Sequence, residues 1–160
     1  MERKMRRFRQ LLDLEEAKTI LRTATNGVLS LTDGNGTPYG VPLSFAYDGG
    51  RAIYFHSALK GHKIDCITAG SACSFCVVGQ DRIVPSEFTT YFRSVIVSGN
   101  ITAVEDKDEI LEGLKLLCEK YSPAIDSDAE ISRCLSHVLV LRLDISNMTG
   151  KEAIELVRKR

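Results

Sequence analysis

Residues 26–57 read "NGVLSLTDGNGTPYGVPLSFAYDGGRAIYFHS". Two turn signals divide this stretch. "DGNG" at 33–36 and "DGG" at 48–50 are residues that accept positive φ cheaply, as tight hairpin turns require. Three strands lie between the turns: "NGVLSLTD", "TPYGVPLSFAYD" and "RAIYFHS". Connections this short force antiparallel pairing. Pro38 and Pro42 each lack an N–H, so the middle strand has an edge, a bulge or a ligand along it.

Outward from this meander, Asp13 and Glu16 form a capping-box pattern. Leu14, Ala17, Ile20, Leu21 and Ala24 then recur at helical spacing, which predicts a helix over about 14–24. After the third strand a short helix starts near Gly61 and runs through Ile64 and Ile67 to Gly70. "SACSFCVVGQD" is a fourth strand, "RIVPSEFTT" a loop, and "YFRSVIVSGNITAV" the longest strand. Asp106 and Glu109 repeat the capping box before a helix whose one face carries Ile110, Leu114, Leu117, Cys118 and Tyr121. "DAEISRCL" is a further helical piece, "HVLVLRLDIS" the sixth strand, and "KEAIELVRKR" a terminal helix or frayed tail. Six strands with few helices cannot cover both faces of an open sheet. The expected fold is therefore mainly β with flanking helices: a six-stranded antiparallel closed or split β-barrel, helices against its openings, as one domain over 1–160.

The 160 residues suffice to bury a core without disulfide or metal. The formal net charge is zero, which argues against a general polyanion binder and against nucleic acid as a partner. "MERKMRRFRQ" holds five basic residues and one acidic one, but a solvated arm explains that run more simply. No apolar run approaches the ~18 residues of a membrane span. No apolar segment follows the basic start, so nothing there reads as a signal peptide, and the five cysteines are expected to be reduced in a cytoplasm.

Cys73 and Cys76 form a CxxC. On a strand, residues three apart point to opposite faces, so small core residues explain the pair better than zinc or redox chemistry, and no metal is expected. Nucleotide-binding glycine fingerprints, HExxH and GxSxG are all missing from the sequence. The junction "FHSALKGHKID", 55–65, holds two of the three histidines. A helix start with free N–H groups attracts an anion, Lys60 and Lys63 add charge, and Gly61 permits close approach. An exposed Lys-rich turn is the plainer reading of those residues alone. The context favours a phosphate. "YGVPLSF" offers backbone along which a flat ring could lie, and Arg93-Ser94 open the long strand. An isoalloxazine needs apolar walls and a few backbone hydrogen bonds, and its phosphate tail needs cations.

"GVPLSFAYD", "IYFHSALKGHKID", "CSFCVV" and "TTYFRSVIVSG" together resemble the pyridoxamine 5′-phosphate oxidase-like flavoproteins. Within them the chain is most similar to the nitroimidazole-resistance (Nim) group, over nearly its whole length. The resemblance implies a split β-barrel that binds FMN, as a homodimer with both sites at the subunit interface. It implies that Val41, Pro42, Leu43 and Ser44 line the flavin ring, and that Phe55, His56 and Ser57 sit near the ribityl chain or phosphate. It implies further that His62 and Lys63 hold the phosphate or the entrance, that Arg93 and Ser94 approach from the neighbouring strand, and that His62 is the catalytic residue. The chain lacks tryptophan, and "DISNMTGKEAIELVRKR" lacks the Arg-His-rich segment of true pyridoxamine phosphate oxidases, so the resemblance does not carry that substrate. Two functions remain: an FMN-dependent oxidoreductase acting on a small acceptor such as a nitroaromatic, or a non-catalytic flavin or haem binding, storage or sensing protein.

Overall fold

The computed structural model describes residues 5–158. The basic N-terminal run is thus described only from Met5 onward, and Lys159-Arg160 lie outside the described residues. Helix α1 spans Leu14–Thr23 and starts as the sequence requires, with the Glu16 N–H donating to Asp13 Oδ1 at 2.8 Å. Strand β1, Gly27–Thr32, alternates strictly, with Gly27, Leu29 and Leu31 inward. Asp33 Oδ1 accepts from the Asn35 and Thr37 N–H groups and closes the "DGNG" turn, where Gly36 takes φ 85°.

The expected second strand divides into β2, Pro38–Leu43, and β3, Ala46–Tyr47. The break at Ser44-Phe45 arises because Phe45 turns fully into the core. There its N–H donates 2.9 Å to Tyr121 Oη, a helix residue, in place of a ladder partner. β4 covers Ala52–Ala58, α2 His62–Ala69, β5 Ala72–Val84 and β6 Thr89–Ala103. The stretch read as a loop after β5 is mostly ladder: Arg82 to Val84 pair with Tyr91 to Thr89, leaving a single 3₁₀ turn, Pro85–Glu87, at the tip. α3 spans Lys107–Tyr121, α4 Asp128–Cys134, β7 Val138–Glu152 and α5 Ile154–Arg158. β7 outruns the expected sixth strand because Asn147 to Glu152 keep pairing with Ser98 to Arg93 of β6.

All pairings are antiparallel, in the order β2-β1-β5-β6-β7-β4-β3. The sheet has seven strands rather than six because of the break at Phe45. Its two edge strands, β2 and β3, are consecutive in the chain. The sheet therefore closes on itself through the Ser44-Phe45 link rather than through hydrogen bonds, which makes it a split β-barrel.

Inside, Phe75 meets Phe45 and Phe55 edge-on, with ring centroids 4.9 and 5.1 Å apart. Ala17, Ile20 and Leu21 of α1 and Cys66 of α2 join this cluster. A second cluster forms on the outer face of β4 and β7, where Leu114 of α3 and Ile131 of α4 cover Val140. Gly113 lets α3 approach, since a Cβ there would lie 2.9 Å from both Tyr54 Cδ1 and Val140 Cγ1. Glu109, the expected return half of the second capping box, instead accepts from Tyr54 Oη at 2.9 Å and from Arg142 Nη1 at 2.7 Å. That anchors α3 to the sheet, and burial with this contact pushes the Tyr54 hydroxyl up to about 12. Among the described residues no helix is long and apolar enough to cross a membrane.

Candidate functional site

The junction between β4 and α2 turns at Gly61, whose φ of 134° and ψ of 167° suit glycine alone. The Gly61 carbonyl accepts from Ile64 and Asp65, and no side chain caps the helix start. α2 is held against the barrel by Cys66, fully buried, with Ile64 and Ile67 beside it. This seating brings His62 edge-on to Tyr39 of β2, ring centroids 4.6 Å apart, with His62 Nε2 3.7 Å from Cys66 Sγ. The β1–β2 turn lies close by. Asp33 is held below the usual carboxylate range, chiefly by the Thr37 N–H, and the charge of His62 adds to the effect. Lys63 is half-buried, and burial pushes its ammonium down. Among the described residues it has neither a carboxylate nor a hydrogen-bond partner.

The other expected site residues are distributed by strand alternation. On β2, Val41 and Leu43 turn inward onto the core and Pro42 turns outward. On β4, Phe55 and Ser57 are buried within the barrel, while His56 faces the opposite side. There His56 and Ser44 border a cavity of about 350 Å³ under α3 and α4. Arg93 donates from Nε to Glu152 Oε2 at 3.2 Å, and that carboxylate is 1% exposed. Arg93 also borders α1 beside Glu16 and Thr19. Ser94 takes the opposite face, in register with Val78 and Lys151. The structure thus brings His62 and Lys63 together, and separately Ser44 and His56. Arg93 and Ser94 lie on β6, with β1 and β5 between them and β2.

Two residues escaped the sequence reading. Tyr39 was legible in the alternation of β2, which puts it on the face of Val41. Tyr121 fell in the apolar stripe of α3 and looked like core. Its hydroxyl instead accepts from the Phe45 N–H and can donate to the carbonyls of Thr25 and Phe45. Next to it, Lys120 Nζ sits 3.8 Å from the Phe45 ring centroid and donates to the Leu21 carbonyl, and burial pushes its pKa down to about 8. Of the CxxC pair, Cys73 packs on the core, where burial raises its thiol to about 12. Cys76 faces outward in register with Val28 and Ile96. No group of three or more His, Cys, Asp or Glu among the described residues could hold a metal ion.

The pyridoxamine 5′-phosphate oxidase family matches residues 13–152, and the chain belongs to it. Among solved structures, a candidate 5-nitroimidazole antibiotic resistance protein from Bacteroides thetaiotaomicron superposes with a TM-score of 0.77 at 23% identity, covering 89% of this chain and 86% of that one. An FAD and heme binding protein from Mycobacterium smegmatis gives 0.74 at 20%, covering 91% and 73%. An FAD-binding protein from Mesorhizobium loti gives 0.68 at 22%, covering 90% and 97%. At these identities the likeness is one of fold. No curated protein matches the chain.

Proposed function

We propose that this protein is a flavin-binding oxidoreductase that holds FMN and passes electrons from a reduced donor to a small acceptor such as a nitroaromatic. The observation that carries this reading is Lys63. A half-buried ammonium without a partner costs free energy unless an anion completes it, and this one stands at a helix start that no side chain caps. Lys63, the amides of the α2 start and the Gly61 turn fit a phosphate monoester. The flavin-binding proteins of the same fold support the assignment of the cofactor.

β2, an edge strand paired only with β1, offers unpaired backbone along Val41, Pro42 and Leu43 for a ring. When bound, the flavin supplies the redox chemistry. His62, exposed beside Lys63, is positioned to exchange a proton with solvent at its imidazole, and is the proposed catalytic residue. Arg93 and Ser94 approach the flavin from β6 in this reading, with Arg93 oriented by its Nε contact to Glu152 of β7.

We place two such sites at the interface of a homodimer. In support, Pro42, Val28, Cys76 and Ile96 lie in register across four neighbouring strands on the outer face. Val28 and Ile96 are 42% and 47% exposed there, and Val78 beside them 57%.

The purified protein is expected to show a flavin spectrum that bleaches with NADH or NADPH under anaerobic conditions. A spectrum that persists would favour a carrier over a reductase. Losing a charge-assisted contact costs roughly 1.5–3 kcal/mol, so Lys63→Ala should weaken FMN by at least about tenfold and leave riboflavin, which has no phosphate, unaffected. Equal affinity for FMN and riboflavin in the wild type would overturn the phosphate assignment.

A further inference from the structure

The cavity under α3 and α4 is absorbed by neither the phosphate cluster nor the barrel core. It is about 350 Å³, within the range that holds small organic ligands. Its walls are apolar: Leu114 and Leu117 of α3, Ile131 of α4, and Val138 of β7. Tyr121 contributes a ring but no free hydroxyl, because its oxygen is taken by Phe45 and Thr25. The uncharged polar groups are few: His56 of β4, Ser44 at the strand break and Ser122 at the exposed end of α3. Among the described residues no Lys or Arg lines the cavity. The carboxylate in the lining, Glu130, is exposed and paired with Arg133.

We infer that this cavity binds an uncharged, flat organic molecule, oriented by one hydrogen bond to His56 or Ser44, and that it excludes phosphate esters and other anions. A phosphate buried here would meet no lysine or arginine of the lining and would face the Glu130 carboxylate, which makes it costly. A neutral ring gains the apolar walls and the Tyr121 face. The division of labour follows from the side chains. The anion-binding groups gather at α2, and the neutral pocket gathers around Ser44, one residue beyond the edge strand proposed to carry the flavin ring. In a reductase of the kind proposed above, this is the seat of the acceptor. Binding itself does not depend on that reading.

The test uses two probes that share a skeleton, neutral N-phenyl-1-naphthylamine and its sulfonated anion 8-anilino-1-naphthalenesulfonate. Fluorescence titration of the full chain, with and without FMN, should show saturable binding of the neutral probe and at least about tenfold weaker binding of the anion. Cys134→Phe fills the cavity from α4, and Ser122→Phe fills it from the exposed end of α3. Either folded variant should lose at least about tenfold in affinity for the neutral probe while FMN affinity stays at the wild-type value. Equal binding of both probes, no saturable binding, or neutral-probe binding untouched by both substitutions would overturn the assignment. So would parallel loss of FMN in both variants, since the cavity would then belong to the flavin. A wild type that binds the neutral probe but no FMN would sink the flavin reading and leave this one standing.

Discussion

Two lysines show how burial, rather than charge count, marks the informative residues. Among the described residues Lys63 has no partner, whereas Lys120 has found a carbonyl and a ring. For Lys120 the folded pKa lies near 8, below the ordinary 10.5. Between those values the folded protein binds fewer protons than the unfolded chain, so this residue makes stability rise with pH across that window. Below the folded pKa its cost is fully present. Urea unfolding at pH 7 and pH 10 should therefore show wild type gaining stability relative to Lys120→Met as pH rises, and a difference that does not change with pH would refute the shift. At this scale the sequence was partly legible. Gly61-His62-Lys63 could be named because a strand–helix junction is a local pattern. The expected trio of Phe55, His56 and Ser57 is divided by strand alternation, with the side chains of Phe55 and Ser57 in the barrel and that of His56 on the opposite face, which a linear reading does not display.

Elements were legible where their signals are local. Asp13 and Asp106 cap α1 and α3 as their spacing requires. The break between β2 and β3 was hidden because its cause, Tyr121, lies 76 residues from Phe45. The extension of β7 was hidden for the same reason, its pairing being with distant β6. One glycine shows how tight that pairing is. At the register shift after Ser98, a Cβ on Gly99 would lie 2.0 Å from the Asp144 carbonyl oxygen. Backbone cannot yield as a side-chain tip does, so Gly99→Ala should cost about 3 kcal/mol or more by denaturant unfolding. A loss below about 0.5 kcal/mol would show that β6 and β7 separate freely there.

At the scale of the whole molecule, the exposed apolar residues ask for a partner. Besides the outer-face band, Ile83 and Phe88 at the β5–β6 tip are 72% and 98% exposed. A ribbon that outruns its neighbouring strands is marginal alone. Sedimentation should show a dimer at micromolar concentration, and Ile96→Asp should shift it toward monomer with a parallel loss of FMN affinity. A wild-type monomer that binds FMN fully would remove the interface from the site. The strand order has a consequence for synthesis. β4 is made early, yet apart from the two residues of β3 its only neighbour is β7, near the end of the chain. On the ribosome the β1–β2 and β5–β6 hairpins can form as they emerge, while β4 must wait with one side open. The ring is completed in a single late event, when β7 slots between β6 and β4, so a nascent chain halted before Val138 holds hairpins but no barrel.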